Sequence, residues 1–209
     1  MHNSLIKTLT SFIFESLEVL ITSLGIFILV YIFIASPHVV VGTSMEPNFL
    51  NGEFILADDL SYKIGSPQRG DVIVFQYDPT HEFIKRVIGL PGDKISLNNG
   101  NVYLNGKWLD ESAYIKQAAN PSLILSTGPG TFLKQGMTVT VPSNDYFVMG
   151  DNRGVSFDSR YFGFVSKSAI QGRVILIYYP FNKFEVVPKV HYTINGNTIY
   201  KNIVKLIFN

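Results

Sequence analysis

The sequence predicts a mainly β protein that is preceded by one transmembrane helix. Two observations lead to this prediction. One uncharged apolar segment, residues 19–35, occupies the first part of the chain. After Pro37 the pattern changes to short runs rich in Val, Ile, Phe and Tyr, which are broken by Gly, Pro and Asn. The 209 residues leave room for one anchor and one globular region.

The apolar segment is interpreted as an uncleaved membrane anchor over residues 17–36. Including the flanking residues brings its length close to the roughly 20 residues that span a bilayer. A cleaved signal peptide is one alternative, but it needs small residues before the cut, and Phe33 or Ile34 stands there. A buried core helix is the other alternative, and the absence of a polar face argues against it.

The distribution of positive charge predicts the orientation of the anchor. Lys7 and the amino terminus precede it, and no Lys or Arg follows until Lys63. Because positive residues stay on the cytoplasmic side, we expect residues 1–16 to be cytoplasmic and residues 37–209 to lie outside.

The outer region carries the pattern of an antiparallel β domain. Eight strands are predicted, at residues 53–57, 71–76, 82–89, 94–97, 102–104, 137–141, 146–149 and 174–179. Asn-Gly dipeptides at 105–106 and 195–196 predict tight hairpin turns. Residues 110–135 form a loop-rich excursion, and a short helix is expected around residues 166–171. We therefore expect an inserted β-rich sub-domain at about residues 94–144.

Composition excludes several kinds of protein. The net charge is +1 and no Lys/Arg stripe is present, so nucleic acid is not an expected partner. The absence of cysteine excludes disulfides, cysteine zinc ligands and a cysteine nucleophile. No histidine motif or His/Asp cluster indicates a metal, and we expect neither a metal nor a cofactor.

Ser44 and Lys85 are the candidates for chemistry. Ser44 lies between Gly42 and Pro47, which favours a fixed turn. Lys85 and Arg86 lie in an apolar β run, so at least one of these charges must point inward. A lysine that loses hydration there has a lowered pKa, and its neutral amine can accept a proton from a serine hydroxyl. The alternative is an ordinary loop serine and a lysine that reaches solvent.

A dense polar stretch over residues 149–163 lies between two apolar runs. Within it, Ser156 could orient an amine base, and an ion pair between Asp158 and Arg160 could brace the loop. A solvated turn is the alternative reading. A triad of Ser44, His81 and an aspartate also stays open, although nothing in the sequence places His81 near Ser44.

Four stretches, in this order, resemble the conserved boxes of bacterial type I signal peptidases, the S26-type serine proteases with a Ser–Lys dyad. They are SMEPN, RGDVIVF, FIKRVIGLPGD and MGDNRGVSFDSRYFG, between about residues 42 and 163. The resemblance implies that Ser44 is the nucleophile and Lys85 its general base. It also implies that Ser156 hydrogen-bonds the lysine amine, and that Asp158 and Arg160 form a structural pair.

The same resemblance implies a signal-peptidase-like β catalytic core with an inserted β-rich sub-domain. The activity it implies is removal of N-terminal signal peptides from exported preproteins through an acyl-enzyme. The partners would be signal peptides, bound as an extended strand, and the lipid bilayer of a bacterial cytoplasmic membrane, crossed once. Residues 39–41 and the Lys85 strand could offer the edges for such a strand, beside two small apolar pockets two residues apart.

One departure from the family pattern concerns the oxyanion hole. Gly42 stands where family members often carry Ser or Thr, so the hole would rest on the Ser44 backbone N–H and a second, unidentified donor. Two other functions stay open at this point. They are a Ser–Lys peptidase with a different exported substrate, and an inactive tethered β module that binds extended peptides. The presence of both Ser44 and Lys85 argues against the inactive module.

Overall fold

The computed structural model describes residues 2–33, 35–115, 130–190, 192–194 and 197–198. It begins with one long helix, α1 (His2–Phe33). Within the residues whose side chains are described, Leu9–Ile28 is exposed throughout and is long and apolar enough to cross a membrane. Residues 35 and 36, the last two of the predicted anchor, belong to strand β1 (Ala35–Val39), and the bounds of the anchor stay a prediction. Pro37 disfavours helix both at its own position and at the residue before it.

The described chain after α1 is mainly β and forms two sheets. The larger sheet has eight antiparallel strands in the order β1-β2-β11-β3-β4-β9-β10, with β12 beside β11. Its other strands are β2 (Phe54–Asp58), β3 (Val72–Asp78), β4 (His81–Gly89), β9 (Asp145–Met149), β10 (Val165–Ser166), β11 (Ile170–Tyr179) and β12 (Glu185–Val186). Two short helices, α2 (Leu60–Ile64) and α3 (Ser159–Phe162), connect them.

The smaller sheet has six strands in the order β14-β13-β7-β6-β5-β8. They are β5 (Lys94–Asn98), β6 (Asn101–Leu104), β7 (Lys107–Asp110), β8 (Thr138–Thr140), β13 (Thr193–Ile194) and β14 (Asn197–Thr198). Four of them lie between β4 and β9 along the chain, and two join from its end. The boundaries of an inserted sub-domain at residues 94–144 stay a prediction.

The predicted strands and turns can be compared one by one with the structure. All eight predicted runs overlap observed strands, whereas six observed strands were not among them: β1, β7, β10, β12, β13 and β14. Asn105 and Gly106 both have positive φ, as the hairpin turn requires. The Asn-Gly dipeptide at 195–196 and residues 116–129 of the loop-rich excursion lie outside the described residues.

The short helix predicted around residues 166–171 is wrong as to type and length. Only Lys167–Ala169 is helical, as one 3-10 turn. Ile170 instead begins strand β11 and pairs with Phe75 of β3. Pairing in the sheet therefore overrides the local helical pattern.

An open groove lies between two strands of the larger sheet that are not neighbours. Strand β1 is an edge strand of that sheet, so one side of β1 is unpaired within the described residues. Strand β4 pairs with β9 only from Arg86 onward, which leaves its first half unpaired on that side. His38 on β1 contacts Glu82 on β4, so the two open edges face each other.

Candidate active site

The turn after β1 fixes the position of Ser44. Gly42 has a φ of 95°, which favours glycine, and its N–H donates to Asn51 Oδ1 at 2.8 Å. Met45 and Phe49 are buried and anchor the turn in the core, and the Phe49 N–H donates to the Met45 carbonyl at 3.1 Å. The backbone of Ser44 is therefore held on both sides.

Lys85 reaches Ser44 from strand β4. Its Nζ lies 2.8 Å from Ser44 Oγ and donates to the Ile84 carbonyl at 2.9 Å. The residue is only 4% exposed. Burial lowers the pKa of the Lys85 amine from 10.5 to about 8, although the more distant carboxylates of Asp158 and Asp151 act in the opposite direction.

The chemistry of this pair follows from the lowered pKa. Within the described residues Lys85 makes no ion pair with a carboxylate. A substantial fraction of the amine is therefore neutral near pH 8, and a neutral amine can accept the hydroxyl proton of Ser44. The geometry fits a serine nucleophile with a lysine general base.

Arg86, the next residue, points to the opposite face of β4 and is fully paired. Its Nε and Nη2 donate to the two carboxylate oxygens of Asp151 at 2.8 and 2.6 Å. Nη1 donates to the Gly70 carbonyl at 2.9 Å, and the guanidinium lies 4.3 Å from the Tyr114 ring centre. Asn48 Nδ2 also donates to Asp151, at 2.8 Å, and so joins the Ser44 turn to this ion pair.

Asp158 and Arg160 form a second buried ion pair behind the active site. Arg160 Nε donates to Asp158 Oδ1 at 2.8 Å, and both side chains are at most 1% exposed. Burial alone would raise the pKa of Asp158, but Arg160 and the Gly150 N–H hold it below its ordinary value. The Arg160 guanidinium also donates to the Arg153 carbonyl at 2.8 Å. These contacts brace the loop that follows β9.

Ser156 lies in this loop and is buried, but its predicted hydrogen bond to Lys85 is not formed here. Its hydroxyl makes no well-formed hydrogen bond within the described residues, but it lies close enough to the Asp158 carboxylate to help lower the pKa of that group. The Lys85 amine is directed instead toward Ser44 and the Ile84 carbonyl. The role of Ser156 beside the amine stays a prediction.

Gly150 allows the loop after β9 to approach Ser44. A Cβ at this position would collide with Ser156 Oγ and with the Ser44 carbonyl oxygen. The Ser44 carbonyl also accepts a hydrogen bond from the Asn152 N–H at 3.0 Å. Any larger residue at position 150 would therefore displace the backbone of Ser44.

The Ser44 backbone N–H is available to stabilise an oxyanion. It donates no hydrogen bond to any other described residue, whereas the Gly42 N–H is occupied by Asn51. The geometry thus offers the donor that the sequence identified and leaves the second donor unassigned.

His81 does not join Ser44. It lies at the start of β4, its side chain is 64% exposed, and its Nδ1 contacts Asp78 at 2.8 Å. A triad of Ser44, His81 and an aspartate is therefore not assembled.

The groove beside the pair is an open cavity of about 310 Å³. Its lining includes Ser44 and Lys85, together with His38 and Glu82, which contact each other at 3.2 Å. Sequence reasoning missed Asp151, Gly150 and the His38–Glu82 contact. The forced burial of a charge on β4 was the one sequence signal that pointed to a partner such as Asp151.

Comparison with known proteins identifies relatives over most of the chain. The family described as signal peptidase, peptidase S26, matches residues 13–179. A signal peptidase I of Bacillus caldolyticus is 41% identical over 155 residues, 73% of this chain and 84% of that protein. A signal peptidase IB of Staphylococcus aureus is 36% identical over 183 residues, 82% of this chain and 93% of that protein. The crystal structure of a signal peptidase I from Enterococcus faecalis is 37% identical and covers 51% of this chain and 95% of its own, with a TM-score of 0.39.

Proposed function

The chain belongs to the signal peptidase family, peptidase S26, and we propose that it removes N-terminal signal peptides from exported preproteins at a membrane surface. Its family makes it a serine endopeptidase. In the proposed mechanism Ser44 is the nucleophile and Lys85 is the general base. The observation that carries the proposal is the 2.8 Å contact between Lys85 Nζ and Ser44 Oγ, made by an amine that burial has deprived of hydration.

The reaction would proceed through an acyl-enzyme. Neutral Lys85 takes the proton of Ser44 as Oγ attacks the scissile carbonyl, and the Ser44 N–H donates to the resulting oxyanion. Protonated Lys85 then gives its proton to the leaving amine, which becomes the new amino terminus of the mature protein. A water molecule, deprotonated by Lys85 in the same way, hydrolyses the ester and releases the signal peptide with a free carboxylate.

The groove between β1 and β4 is proposed to bind the signal peptide as an extended strand. Both strands have unpaired backbone groups along it, and an added strand would satisfy them. The substrate side chains that point into the groove would meet its apolar floor near Ile84, Ile55 and Val74.

The bilayer is the second proposed partner. Ser44 lies eleven residues after Phe33, the last residue of α1, so at most about 40 Å of extended chain separates the two. A signal peptide leaves the bilayer within that distance. We propose a single-pass protein of a bacterial cytoplasmic membrane with residues 1–16 inside and the catalytic region outside.

Cleavage of a purified preprotein by the full chain in detergent tests this function. We expect cleavage at one bond, identified by mass spectrometry, and losses of at least about 10³-fold in Ser44→Ala and in Lys85→Ala. Ser168→Ala and Lys94→Ala change the same residue types at exposed positions and serve as matched controls. Undiminished cleavage by either active-site variant would contradict the proposed dyad.

A further inference from the structure

An oxyanion beside Ser44 needs a second hydrogen-bond donor, and Gly42 cannot supply it. Gly42 has no side chain, and its N–H already donates to Asn51 Oδ1 at 2.8 Å. Preorganised donors at a developing negative charge are usually the largest single contribution to catalysis of acyl transfer, so a missing donor is costly. The second donor must therefore be another group that lines the same cavity.

Few of the described side chains around the cavity can donate a hydrogen bond. Those that carry an N–H or O–H group are His38, Thr43, Ser44 and Lys85. Ser44 and Lys85 form the dyad, and both ring nitrogens of His38 have partners, Ser36 at 2.9 Å and Glu82 at 3.2 Å. The hydrogen bonds that Thr43 makes within the described residues all run through its backbone carbonyl. Its hydroxyl is therefore the side-chain donor that is left for a substrate.

The peptide unit between Thr43 and Ser44 is held in a fixed orientation. The Thr43 carbonyl accepts from the Glu46 N–H at 3.2 Å and from Asn152 Nδ2 at 3.1 Å. This peptide bond is trans, so the Ser44 N–H points to the side opposite that carbonyl. The first donor of the oxyanion hole is thus aimed away from Glu46 and Asn152 by hydrogen bonds that exist before substrate binds.

The same geometry puts the Thr43 side chain beside the Ser44 N–H. In a planar trans peptide the amide hydrogen lies on the same side of the C–N bond as the preceding Cα. The Cα of Thr43, with its Cβ and hydroxyl, is therefore on the side to which the Ser44 N–H points. Thr43 is exposed, so rotation about χ1 alone can turn its hydroxyl toward an oxygen that accepts from this N–H.

Resting on the proposed function, we propose that the Thr43 hydroxyl is the second donor of the oxyanion hole. As Ser44 Oγ bonds to the scissile carbon, the π electrons of the carbonyl move to its oxygen and Lys85 takes the hydroxyl proton of Ser44. The Ser44 N–H and the Thr43 O–H then donate to that oxygen together. When the intermediate collapses, the C=O bond forms again, the C–N bond breaks and Lys85 passes the proton to the leaving nitrogen. Thr43 keeps its own proton throughout.

Separate measurement of kcat and KM for cleavage of a preprotein by the full chain in detergent tests the inference. Thr43→Val replaces the hydroxyl by a methyl of the same shape, and we expect kcat to fall about 10²-fold. KM should stay within about twofold, because the hydrogen bond forms only as the oxyanion develops. Thr43→Ser keeps the hydroxyl and should retain kcat within a few-fold. Thr140→Val makes the same change at an exposed position of β8 and should equal wild type.

Binding of a peptide aldehyde provides a readout that a merely structural role of Thr43 would not move. Ser44 Oγ adds to the aldehyde carbon and gives a tetrahedral adduct whose oxygen lies in the oxyanion hole. We expect the Ki of the aldehyde to rise about tenfold or more in Thr43→Val. The Kd of the corresponding peptide alcohol, which has no carbonyl, should not change. Thr43→Ala also lacks the hydroxyl and should behave as Thr43→Val does, so it replaces that variant if valine disturbs the fold.

The outcomes separate this inference from the proposed function. An unchanged kcat in Thr43→Val overturns the role of Thr43, and so does a loss in Thr43→Ser as large as that in Thr43→Val. An aldehyde that binds Thr43→Val as tightly as wild type overturns it too. In each of these cases cleavage by wild type still upholds the proposed function. Failure of wild type to cleave a preprotein overturns the proposed function and the role of Thr43 with it.

Discussion

Lys85 and Arg86 are neighbours on strand β4, but they lie on opposite faces of the strand and have different partners. Lys85 and Arg86 are both nearly inaccessible, 4% and 3% exposed. Lys85 meets a hydroxyl and a carbonyl, whereas Arg86 meets both oxygens of the Asp151 carboxylate. Burial lowers the pKa of Lys85 to about 8, but Asp151 raises the pKa of Arg86 above its ordinary value despite burial.

This difference separates a reactive cation from a structural one. A buried charge without a counter-ion is destabilised, and an amine escapes the penalty by releasing its proton. A guanidinium keeps its proton in proteins, so it requires the carboxylate. The same strand thus supplies an amine that can release its proton on one face and a fixed ion pair on the other.

Breaking the ion pair on the Arg86 face should have the largest effect on stability. Arg86→Met leaves Asp151 charged, buried and without its bidentate partner, so we expect the free energy of unfolding to fall by about 3–5 kcal/mol. Urea denaturation in detergent measures it. Lys94→Met, at an exposed position, is the matched control and should change stability by less than about 0.5 kcal/mol. A loss in Arg86→Met no larger than in this control would contradict the comparison.

Removing the charge on the other face should act in the opposite direction. The folded pKa of Lys85 lies below its unfolded value of 10.5, so the unfolded chain binds more protons and stability rises with pH between about 8 and 10.5. Below that window the buried charge costs about 3 kcal/mol. Lys85→Met should therefore raise the free energy of unfolding by up to about 3 kcal/mol at pH 7 and abolish cleavage.

The advantage of Lys85→Met should shrink as pH rises. Urea curves for wild type and variant at pH 7 and pH 10 provide the check. A variant that is less stable than wild type at pH 7, or a difference that does not depend on pH, would show that Lys85 is not a desolvated charge.

The pH dependence of cleavage sharpens the comparison further. Because only neutral Lys85 can act as base, kcat/KM should rise about tenfold per pH unit well below pH 8 and level off above it. Fluorescence of Trp108, the single tryptophan, verifies folding at each pH. A profile that is flat from pH 6 to 9 is incompatible with a lysine base of lowered pKa.

The smallest predicted effect concerns Asn48, which links the turn that carries Ser44 to the Arg86–Asp151 ion pair on the other face of β4. Asn48 donates to Asp151 Oδ2 and to the Tyr114 carbonyl, both at 2.8 Å, from the turn that carries Ser44. Asn48→Ala should lower stability by about 1–2 kcal/mol and kcat by a few-fold, since Arg86 still neutralises Asp151. Asn101→Ala, at an exposed position, is the matched control. Asn99→Ala would be less exact, because Asn99 has a positive φ. An Asn48 variant equal to Asn101→Ala in both measurements would show that the two faces are independent.

The sequence predicted much of the fold because its strands are locally encoded. Runs such as β3 and β4 are apolar and rich in β-branched residues, and they fold as that pattern indicates. Strand β1 has the sequence ASPHV, which carries no such pattern, and only pairing with β2 makes it a strand. The 3-10 turn at Lys167–Ala169 is a similar case, since sheet pairing sets where it ends.

The candidate site was predictable to the extent that one strand specified it. The apolar faces of β4 indicated that a cation must be buried, and both Lys85 and Arg86 are. The partners come from distant segments: Ser44 lies 41 residues from Lys85, and Asp151 lies 65 residues from Arg86. No local pattern reports such separations, and the His38–Glu82 contact spans 44 residues in the same way. The need for glycine at position 150 arises only because Ser44 and Ser156 come close to it in the folded chain.

The two open edges of the groove have a consequence for substrate repertoire. Every polypeptide carries the same main-chain N–H and C=O groups, so a binding mode that relies on strand addition attracts all extended chains about equally. Discrimination then rests on the few side chains that point inward, and the remaining positions are free to vary. Under the proposed function, one enzyme of this architecture can serve many unrelated exported proteins, and their mature sequences can diverge without regard to it.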